Sequence, residues 1–289
     1  MSKKEKKEKR PLISKLLFIL LFIALVYLYA RYIGTTGITL REYNISSEEI
    51  PESFDGFSIV QFSDLELGST FNIENLKDLV EKINKLKPNI VVFTGDLLSE
   101  DYNLSNKKKE EIINNLSNID SLIGNYSVRG DDDVKGNFYE EIMTSSNFTD
   151  LTNSYELIYY KGLTPIVLYG LDSQKGNQNY SSTFAYPTSD TDSTYMATYR
   201  ILLTHEPDTV DDIQEYNISL MLSGHSHNSE INIPGIKSLY QIEGAKKYYD
   251  EKYKVGGTEL YISSGLGTTK FKMRLFARPS ISIFRLYHD

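Results

Sequence analysis

Six short apolar segments constrain the fold of this chain more than any other feature of its sequence. Each is four to six residues long, contains Val, Ile or Leu, and is bounded by residues that favour turns. The segments are 57–62 (FSIVQF), 89–94 (NIVVFT), 126–129 (YSVR), 165–170 (PIVLYG), 200–204 (RILLT) and 219–223 (SLMLS). Continuous apolar runs of this kind are typical of strands that are buried on both faces of a sheet.

Amphipathic helices are predicted between several of these strands. Over residues 72–87, apolar side chains recur every three or four positions, and Pro88 ends the helix. Residues 107–122 repeat the pattern. Residues 172–199 show no clear periodicity and are predicted to form a long loop or a cap. Alternating strands and helices predict an α/β layered fold, in which functional groups gather at the carboxyl ends of the strands.

Carboxylates and imidazoles follow five of the six predicted strands. They are Asp64, Asp96, Asp131, Asp132, Asp133, His205, His225 and His227. The three histidines in this set fall within 23 residues, although the whole chain has only four. Because His225 and His227 are separated by one residue, they point the same way from an extended backbone but not from a helix. Strand ends that bring these groups to one rim predict a metal site.

Composition excludes several other kinds of chemistry. The 289 residues include no cysteine, which rules out disulfides, Cys-ligated zinc, iron–sulfur clusters and thiol nucleophiles. The chain is basic only at its N-terminus, because residues 32–289 carry 23 basic and 37 acidic side chains. A body this acidic is unsuited to a polyanion, so we expect no nucleic-acid partner.

An apolar segment near the N-terminus has the length of a membrane span. Fifteen uncharged residues lie between Lys15 and Arg31, and about 20 residues are enough to cross a bilayer. A cleaved signal peptide is an alternative, although Leu28-Tyr29-Ala30 fits a cleavage site poorly. A buried core helix is less favoured, because no polar stripe interrupts the run. The basic residues before the span predict a cytoplasmic N-terminus and an extracytoplasmic body.

Five polar blocks occur in a fixed order along the chain. They are Ser63-Asp64-Leu65-Glu66, Thr94-Gly95-Asp96, Arg129-Gly130-Asp131-Asp132-Asp133, Thr204-His205-Glu206-Pro207 and Ser223-Gly224-His225-Ser226-His227. Together they resemble the calcineurin-like metallophosphoesterase superfamily, particularly its membrane-anchored bacterial branch. That family's pattern is Asp-x-His, Gly-Asp, Gly-Asn-His-Asp/Glu, a single His after a strand, and Gly-His-x-His. The resemblance runs from about residue 55 to the C-terminus.

The resemblance implies a fold and a division of the chain. The fold is a four-layer α/β sandwich, with two mixed sheets flanked by helices, after one N-terminal transmembrane helix. The implied segments are a basic cytoplasmic tail (1–11), a transmembrane anchor (12–33), a linker or edge segment (34–54) and a metallophosphoesterase domain (55–289).

The resemblance also implies ligands for two divalent metal ions. Asp96 corresponds to the carboxylate that bridges both ions. The remaining ligands are Asp64, Glu66 and His227 for one ion, and Asp131, His205 and His225 for the other. Carboxylate-rich ligation favours Mn²⁺, with Mg²⁺, Fe²⁺ or Zn²⁺ as alternatives. Two such ions clamp the phosphate oxygens and activate a water molecule for attack.

Three positions depart from the family pattern. Glu66 replaces a ligand histidine, Asp131 replaces an asparagine, and Asp132 replaces the histidine that assists the reacting oxygens. Losing a general acid typically costs about 10²–10⁴ in rate. Asp132 could act in its place as a catalytic acid if clustered carboxylates kept it protonated. Asp133 is predicted to cap a turn.

Two functions remain open at this point. The first is a membrane-anchored phosphoesterase that hydrolyses a phosphodiester or pyrophosphate of a lipid or envelope component, or a phosphorylated small molecule. The second is a catalytically degenerate member that binds metal or a phosphorylated ligand in the envelope. A structural envelope protein without metal would require the clustered histidines to be incidental. The Tyr-rich residues 155–160 and 180–199 either face the substrate or pack in the core, and we favour packing.

Overall fold

Two mixed β-sheets form the centre of the protein in the computed structural model, which describes residues 9–186, 196–233, 235 and 241–289. Strands are numbered in chain order. Across the first sheet they are β1 (Thr39–Ser47), β12 (Ser280–His288), β2 (Phe57–Phe62), β3 (Ile90–Phe93), β4 (Gly124–Ser127) and β5 (Phe148–Asp150). Across the second they are β10 (Lys252–Val255), β11 (Thr258–Ile262), β9 (Leu220–Ser223), β8 (Arg200–Leu203), β7 (Ile166–Gly170) and β6 (Ser154–Ile158).

The described part of the chain contains five α-helices, and three of them cover the outer face of the first sheet. The α-helices are α1 (Lys9–Leu28), α2 (Ile73–Leu86), α3 (Asn106–Leu116), α4 (Phe138–Ser145) and α5 (Tyr180–Thr183). Helix α2 begins at a reciprocal cap, in which the Asn72 side chain accepts from the Asn75 backbone and the Asn75 side chain accepts from the Asn72 backbone. It ends at Lys87, whose backbone is left-handed, immediately before Pro88. The pattern read from 72–87 therefore predicts α2 to within a residue at each end.

Alternating side chains of the buried strands serve two separate cores. On β2, Phe57 and Ile59 face the second sheet, whereas Val60 and Phe62 face the helices. β3 shows the same alternation. All six apolar segments identified in the sequence form strands, and the predicted α/β fold with two mixed sheets and flanking helices is confirmed. Short 3₁₀ turns at Pro207–Asp211 and Gln214–Tyr216 pack with α5 on the outer face of the second sheet.

The N-terminal apolar segment forms a helix that is exposed along most of its length and contacts the domain at its last turn, where Ala30 is buried. Residues Leu12–Ile33 are long and apolar enough to cross a membrane, and none of their most apolar window is buried in the protein. A buried core helix is thereby excluded. The segment predicted as a linker or edge (34–54) contains β1, which pairs in parallel with β12 at one edge of the first sheet.

Aromatic side chains from the predicted loop pack against the core of the second sheet. The Phe184 and Tyr216 rings stack with centroids 4.0 Å apart, and Tyr186 contacts Tyr155 with centroids 5.8 Å apart. The part of the predicted loop at 187–195 lies outside the described residues. In the portion that is described, these aromatic side chains therefore contribute to packing.

Candidate metal centre

The carboxyl ends of parallel strands from both sheets meet at one rim. In the first sheet, β2, β3 and β4 are mutually parallel, and the loops that follow them carry aspartates and a glutamate. In the second sheet, β8 and β9 are parallel, and the loops that follow them carry three histidines. The first sheet therefore supplies the carboxylates and the second supplies the imidazoles.

One group of four buried side chains has the spacing of a metal site. Ligand atoms of Asp96, Asp131, His205 and His225 all lie within 4.8 Å of one another. His205 Nε2 is 3.0 Å from Asp96 Oδ2 and 3.6 Å from Asp131 Oδ1. His225 Nδ1 is 3.5 Å from Asp131 Oδ1. The structure thus brings together the four residues that the sequence assigns to one ion.

A second group shares one carboxylate with the first. Glu66, Asp96 and Asp132 also place ligand atoms within 4.8 Å of one another. Asp96 belongs to both groups, which is the arrangement expected of a bridging ligand. Beside them, His227 Nε2 is 3.2 Å from Asp64 Oδ1. All the predicted metal ligands are therefore buried. Asp132, the predicted catalytic acid, lies beside two of them, Glu66 and Asp96.

Unsatisfied polar atoms in this cluster fit a bound cation. Among the described residues, the buried Asp64 Oδ2 has no hydrogen-bond partner, and the buried His227 Nε2 has only Asp64 Oδ1 nearby, at 3.2 Å and without the geometry of a hydrogen bond. A buried polar atom left in this state costs about 1–3 kcal/mol, and more if it is charged. Divalent cations take oxygen and imidazole ligands, which are the donors these residues present. The residues present therefore fit a metal centre.

The electrostatics of the cluster indicate the same chemistry. Burial raises the pKa of Glu66 well above its usual range, and the nearby carboxylates of Asp96 and Asp132 raise it further. Burial also opposes ionisation of Asp64, but His227 and His205 more than offset this and lower its pKa to about 2. Carboxylates packed this closely repel one another unless a positive charge lies among them.

The backbone is strained where it presents the ligands. Asp64, Glu66, Asp96, His225 and His227 all have positive φ angles, between 45° and 66°. For residues with a Cβ this left-handed conformation costs roughly 1–2 kcal/mol each. Strain of this kind collects at functional sites, where the surrounding structure enforces it.

Two glycines allow the ligand loops to approach one another. A Cβ at Gly130 would collide with the backbone and side chain of Asp96, and one at Gly224 would collide with Ser63 and Asp64. The glycines of the third and fifth polar blocks are thus required by the close approach of backbone to ligand.

The sequence of the chain matches a known protein family. A family model described as calcineurin-like phosphoesterase matches residues 57–229. The chain is 34% identical over 264 residues to the metallophosphoesterase YkuE of Bacillus subtilis (strain 168), covering 90% of this chain and 89% of YkuE. The chain belongs to the calcineurin-like phosphoesterase family. It is a metal-dependent phosphoesterase, and its Asp and His cluster is a group of side chains that could hold a divalent metal ion.

Two other relatives of this phosphoesterase are more distant. It is 27% identical over 257 residues to a transmembrane protein with a metallophosphoesterase domain from Danio rerio, covering 83% of this chain and 55% of that protein. It is 24% identical over 311 residues to the UDP-2,3-diacylglucosamine pyrophosphatase LpxG of Chlamydia muridarum (strain MoPn / Nigg), covering 83% of this chain and 87% of LpxG.

Asp133 links the loop that follows β3 to the loop that follows β4 by hydrogen bonds. Its buried carboxylate accepts hydrogen bonds from the backbone N–H groups of Asp96 at 2.8 Å, Leu97 at 2.9 Å and Gly130 at 2.8 Å. Burial and the neighbouring Asp96 raise its pKa to about 7. The predicted turn cap therefore also sets the position of the shared ligand Asp96.

Replacing Asp133 with Asn is expected to weaken metal binding about 10- to 100-fold, as is typical when a group that orients a metal ligand is lost. The amide NH₂ is a donor, so it would face at least one of the backbone N–H groups that now donate to the carboxylate, and that hydrogen bond would be lost. The measurement is a calorimetric titration of the variant with Mn²⁺, beside the surface control Asp55→Asn. Equal affinities in the variant, the control and the wild type would show that Asp133 does not position Asp96.

Lys175 is a functional candidate that the sequence patterns do not single out. Its ammonium group contacts Asp131 Oδ2 directly, and its side chain is 56% exposed. The loop after β7 holds it there, because Asp172 at the loop's start accepts from Arg129 Nε at 2.6 Å and from the Asn177 N–H at 2.7 Å. β7 pairs in parallel with β8 in the second sheet. Applying the strand-end rule to β7 would have found this residue.

A large cavity lies over the metal centre of the phosphoesterase. Its volume is about 1010 Å³, and predicted ligands such as Glu66, Asp131 and His225 line it. Its basic lining residues are Lys108, Lys175, Lys270 and Lys272. The lining also includes the carboxylates of Glu100, Asp101 and Glu243, so the lysines are the side chains in it that suit a substrate carrying a phosphate.

Proposed function

We propose that this phosphoesterase is anchored in a membrane and hydrolyses a phosphodiester or pyrophosphate bond of a lipid or other envelope component. The observation that carries the proposal is that Asp96 is shared by two groups of candidate ligands beneath a cavity whose lining includes four lysines. Residues 12–33 are the proposed anchor, with 1–11 in the cytoplasm and the domain outside it. Two divalent ions, Mn²⁺ foremost, are the proposed cofactors.

The ligand assignments combine residues of the two groups around Asp96 with the neighbouring pair of Asp64 and His227. The proposed ligands are Asp64, Glu66, Asp96 and His227 for one ion, and Asp96, Asp131, His205 and His225 for the other. When bound, the ions would supply positive charge to the phosphate oxygens and an activated water as the nucleophile.

Two side chains at the cavity wall complete the proposed chemistry. Lys175, whose side chain is 56% exposed, supplies a positive charge that can pair with a phosphate oxygen. Asp132, beside Glu66 and partly exposed, is the proposed donor of a proton to the leaving oxygen. Its backbone N–H donates to Asp96 Oδ1 at 3.1 Å, which ties the proposed acid to the shared ligand.

The lipid character of the substrate is supported by the anchor and by one relative. A catalytic domain attached to a 22-residue apolar helix meets membrane components at high local concentration. LpxG is named as a pyrophosphatase of UDP-2,3-diacylglucosamine, a lipid pyrophosphate. We infer the same bond class here, without assigning the head group.

The test uses the full chain in phosphatidylcholine vesicles with Mn²⁺. Three substrates are compared: a lipid pyrophosphate linked to a nucleoside, a phospholipid diester and the phosphomonoester phosphatidic acid. We expect metal-dependent cleavage of the pyrophosphate or the diester at least tenfold faster than of the monoester. Fastest cleavage of the monoester, or cleavage of water-soluble diesters alone, would contradict the proposed substrate class.

A further inference from the structure

Residues 270–279 connect the end of the apolar helix to the metal centre. On one side, the Arg274 N–H donates to the Ala30 carbonyl at 2.9 Å. On the other side, the Leu275 N–H donates to the Glu230 carbonyl at 2.8 Å, and the Asn232 N–H donates to the Leu275 carbonyl at 2.9 Å. One short segment therefore touches both the last turn of the proposed anchor and the loop that follows His227.

The side chain of Arg274 reaches directly from this segment to His227. It is fully buried, and its Nη1 donates to the carbonyls of Ser264 at 2.7 Å and Ala277 at 2.8 Å. Its Nη2 lies 3.2 Å from His227 Nδ1. Gly34 packs against the Arg274 backbone so closely that a Cβ there would collide with it. The length of one arginine side chain therefore separates the anchor's end from a proposed metal ligand.

The outer side of this segment has the composition of a membrane interface. Phe271 is 47% exposed and Phe276 is 64% exposed. Lys270 and Lys272 flank Phe271 in the sequence. Aromatic and basic side chains together are typical of protein surfaces that lie at the level of lipid head groups. Because the segment is hydrogen-bonded to the anchor's last turn, a membrane-spanning α1 would hold these side chains near the bilayer surface.

A mostly apolar pocket leads inward from this surface. Its volume is about 220 Å³, and its apolar lining residues are Ile231, Ile242 and Phe271, beside the polar residues Ser226, His227, Ser229, Glu230 and Thr269. It shares His227, Ile242 and Thr269 with the large cavity over the metal centre. The pocket therefore adjoins the cavity over the candidate metal centre, and Phe271 belongs both to its wall and to the exposed segment.

We propose that this pocket holds a hydrocarbon chain of the lipid substrate while the substrate's phosphate lies at the metal centre. Residues 270–276 would contact the bilayer, so that the chain enters the pocket from the membrane. This inference rests on the proposed phosphoesterase function and adds the place where the lipid tail binds. In this arrangement, the part of the substrate that links the hydrocarbon chain to the phosphate would lie beside His227, Ile242 and Thr269, which line both cavities.

The test measures hydrolysis of p-nitrophenyl alkyl phosphates with methyl, butyl, hexyl and octyl chains. The full chain is used in phosphatidylcholine nanodiscs with Mn²⁺, and p-nitrophenol release is followed. In the wild type, kcat/KM should rise with chain length by up to about fourfold per methylene, equivalent to about 0.8 kcal/mol, until the pocket is filled. The Phe271→Ser and Ile242→Ala variants should each lower the octyl-to-methyl ratio at least tenfold. Leu163→Ser, which removes an exposed apolar side chain outside the pocket, should leave that ratio unchanged.

Ratios within one preparation do not depend on the fraction of folded protein. Partition of the longer esters into the bilayer is the same for all variants, so a chain-length effect that survives in both pocket variants would overturn the inference. A flat chain-length profile in an active wild type would also overturn it, leaving the phosphoesterase function intact. Failure to hydrolyse any of the esters, including bis-p-nitrophenyl phosphate, would instead contradict the proposed function.

Discussion

Replacing Asp96 with Asn is expected to lower kcat for bis-p-nitrophenyl phosphate about 10³-fold. Asp96 is the one side chain that belongs to both groups of candidate ligands. An amide offers a single neutral oxygen and cannot bridge two cations, so the charge that the ions give to the phosphate oxygens is lost or misplaced. The measurement is turnover by the full chain with Mn²⁺, with metal content determined on the same sample.

Stability separates loss of metal from loss of fold in this variant. Burial raises the pKa of Asp96, and the carboxylates of Asp131 and Asp64 raise it further, although His205 opposes them. Neutralising the side chain should therefore leave the metal-free Tm unchanged or higher, while the rise in Tm on adding Mn²⁺ becomes smaller. The control Asp55→Asn should retain both the wild-type turnover and the wild-type response to Mn²⁺. Wild-type turnover in Asp96→Asn would contradict the role of a shared ligand.

The second large effect is expected at Lys175. Replacing it with Met should lower kcat/KM about 10²-fold with little change in metal content, because a cation next to Asp131 is lost from the cavity that receives the phosphate. Lys175→Arg keeps the charge and should recover much of the activity. The measurement is kcat/KM for bis-p-nitrophenyl phosphate across the variants.

Metal content decides between two roles for Lys175. Lys254→Met, a surface lysine outside the cavity, serves as the matched control. If Lys175→Met changes the metal content and leaves the turnover per bound metal as in the wild type, the lysine merely neutralises Asp131. If turnover per bound metal falls and Arg restores it, Lys175 acts on the substrate.

The α/β fold and the cluster around Asp96 were predictable because both depend on local patterns. An apolar strand followed at once by Asp64, Asp96 or His205 predicts a polar group at a sheet edge, and parallel strands bring such edges together. No long-range information is needed for that step. The same rule extends to Lys175, but residues 172–199 show no periodicity and predict only a long loop or a cap.

Contacts between distant parts of the chain could not be predicted in this way. The hydrogen bond between Arg274 and Ala30 joins residues that no periodicity relates. The Arg274 side chain is charged, yet it is fully buried beside His227, which only the packed structure reveals. The small pocket at Ile231 and Ile242 likewise depends on how separate loops meet. The boundary between the linker (34–54) and the domain (55–289) stays a prediction.

The most direct test of the account is a metal titration of the full chain. After treatment with EDTA, hydrolysis of bis-p-nitrophenyl phosphate is followed as Mn²⁺ is added. We predict no turnover without metal and a rise in turnover that is complete near two equivalents, with Glu66 and Asp132 serving in place of the histidines usual in the family. No turnover above the Asp96→Asn level with Mn²⁺, Mg²⁺, Fe²⁺ or Zn²⁺ would contradict the account and indicate a protein that only binds its ligand.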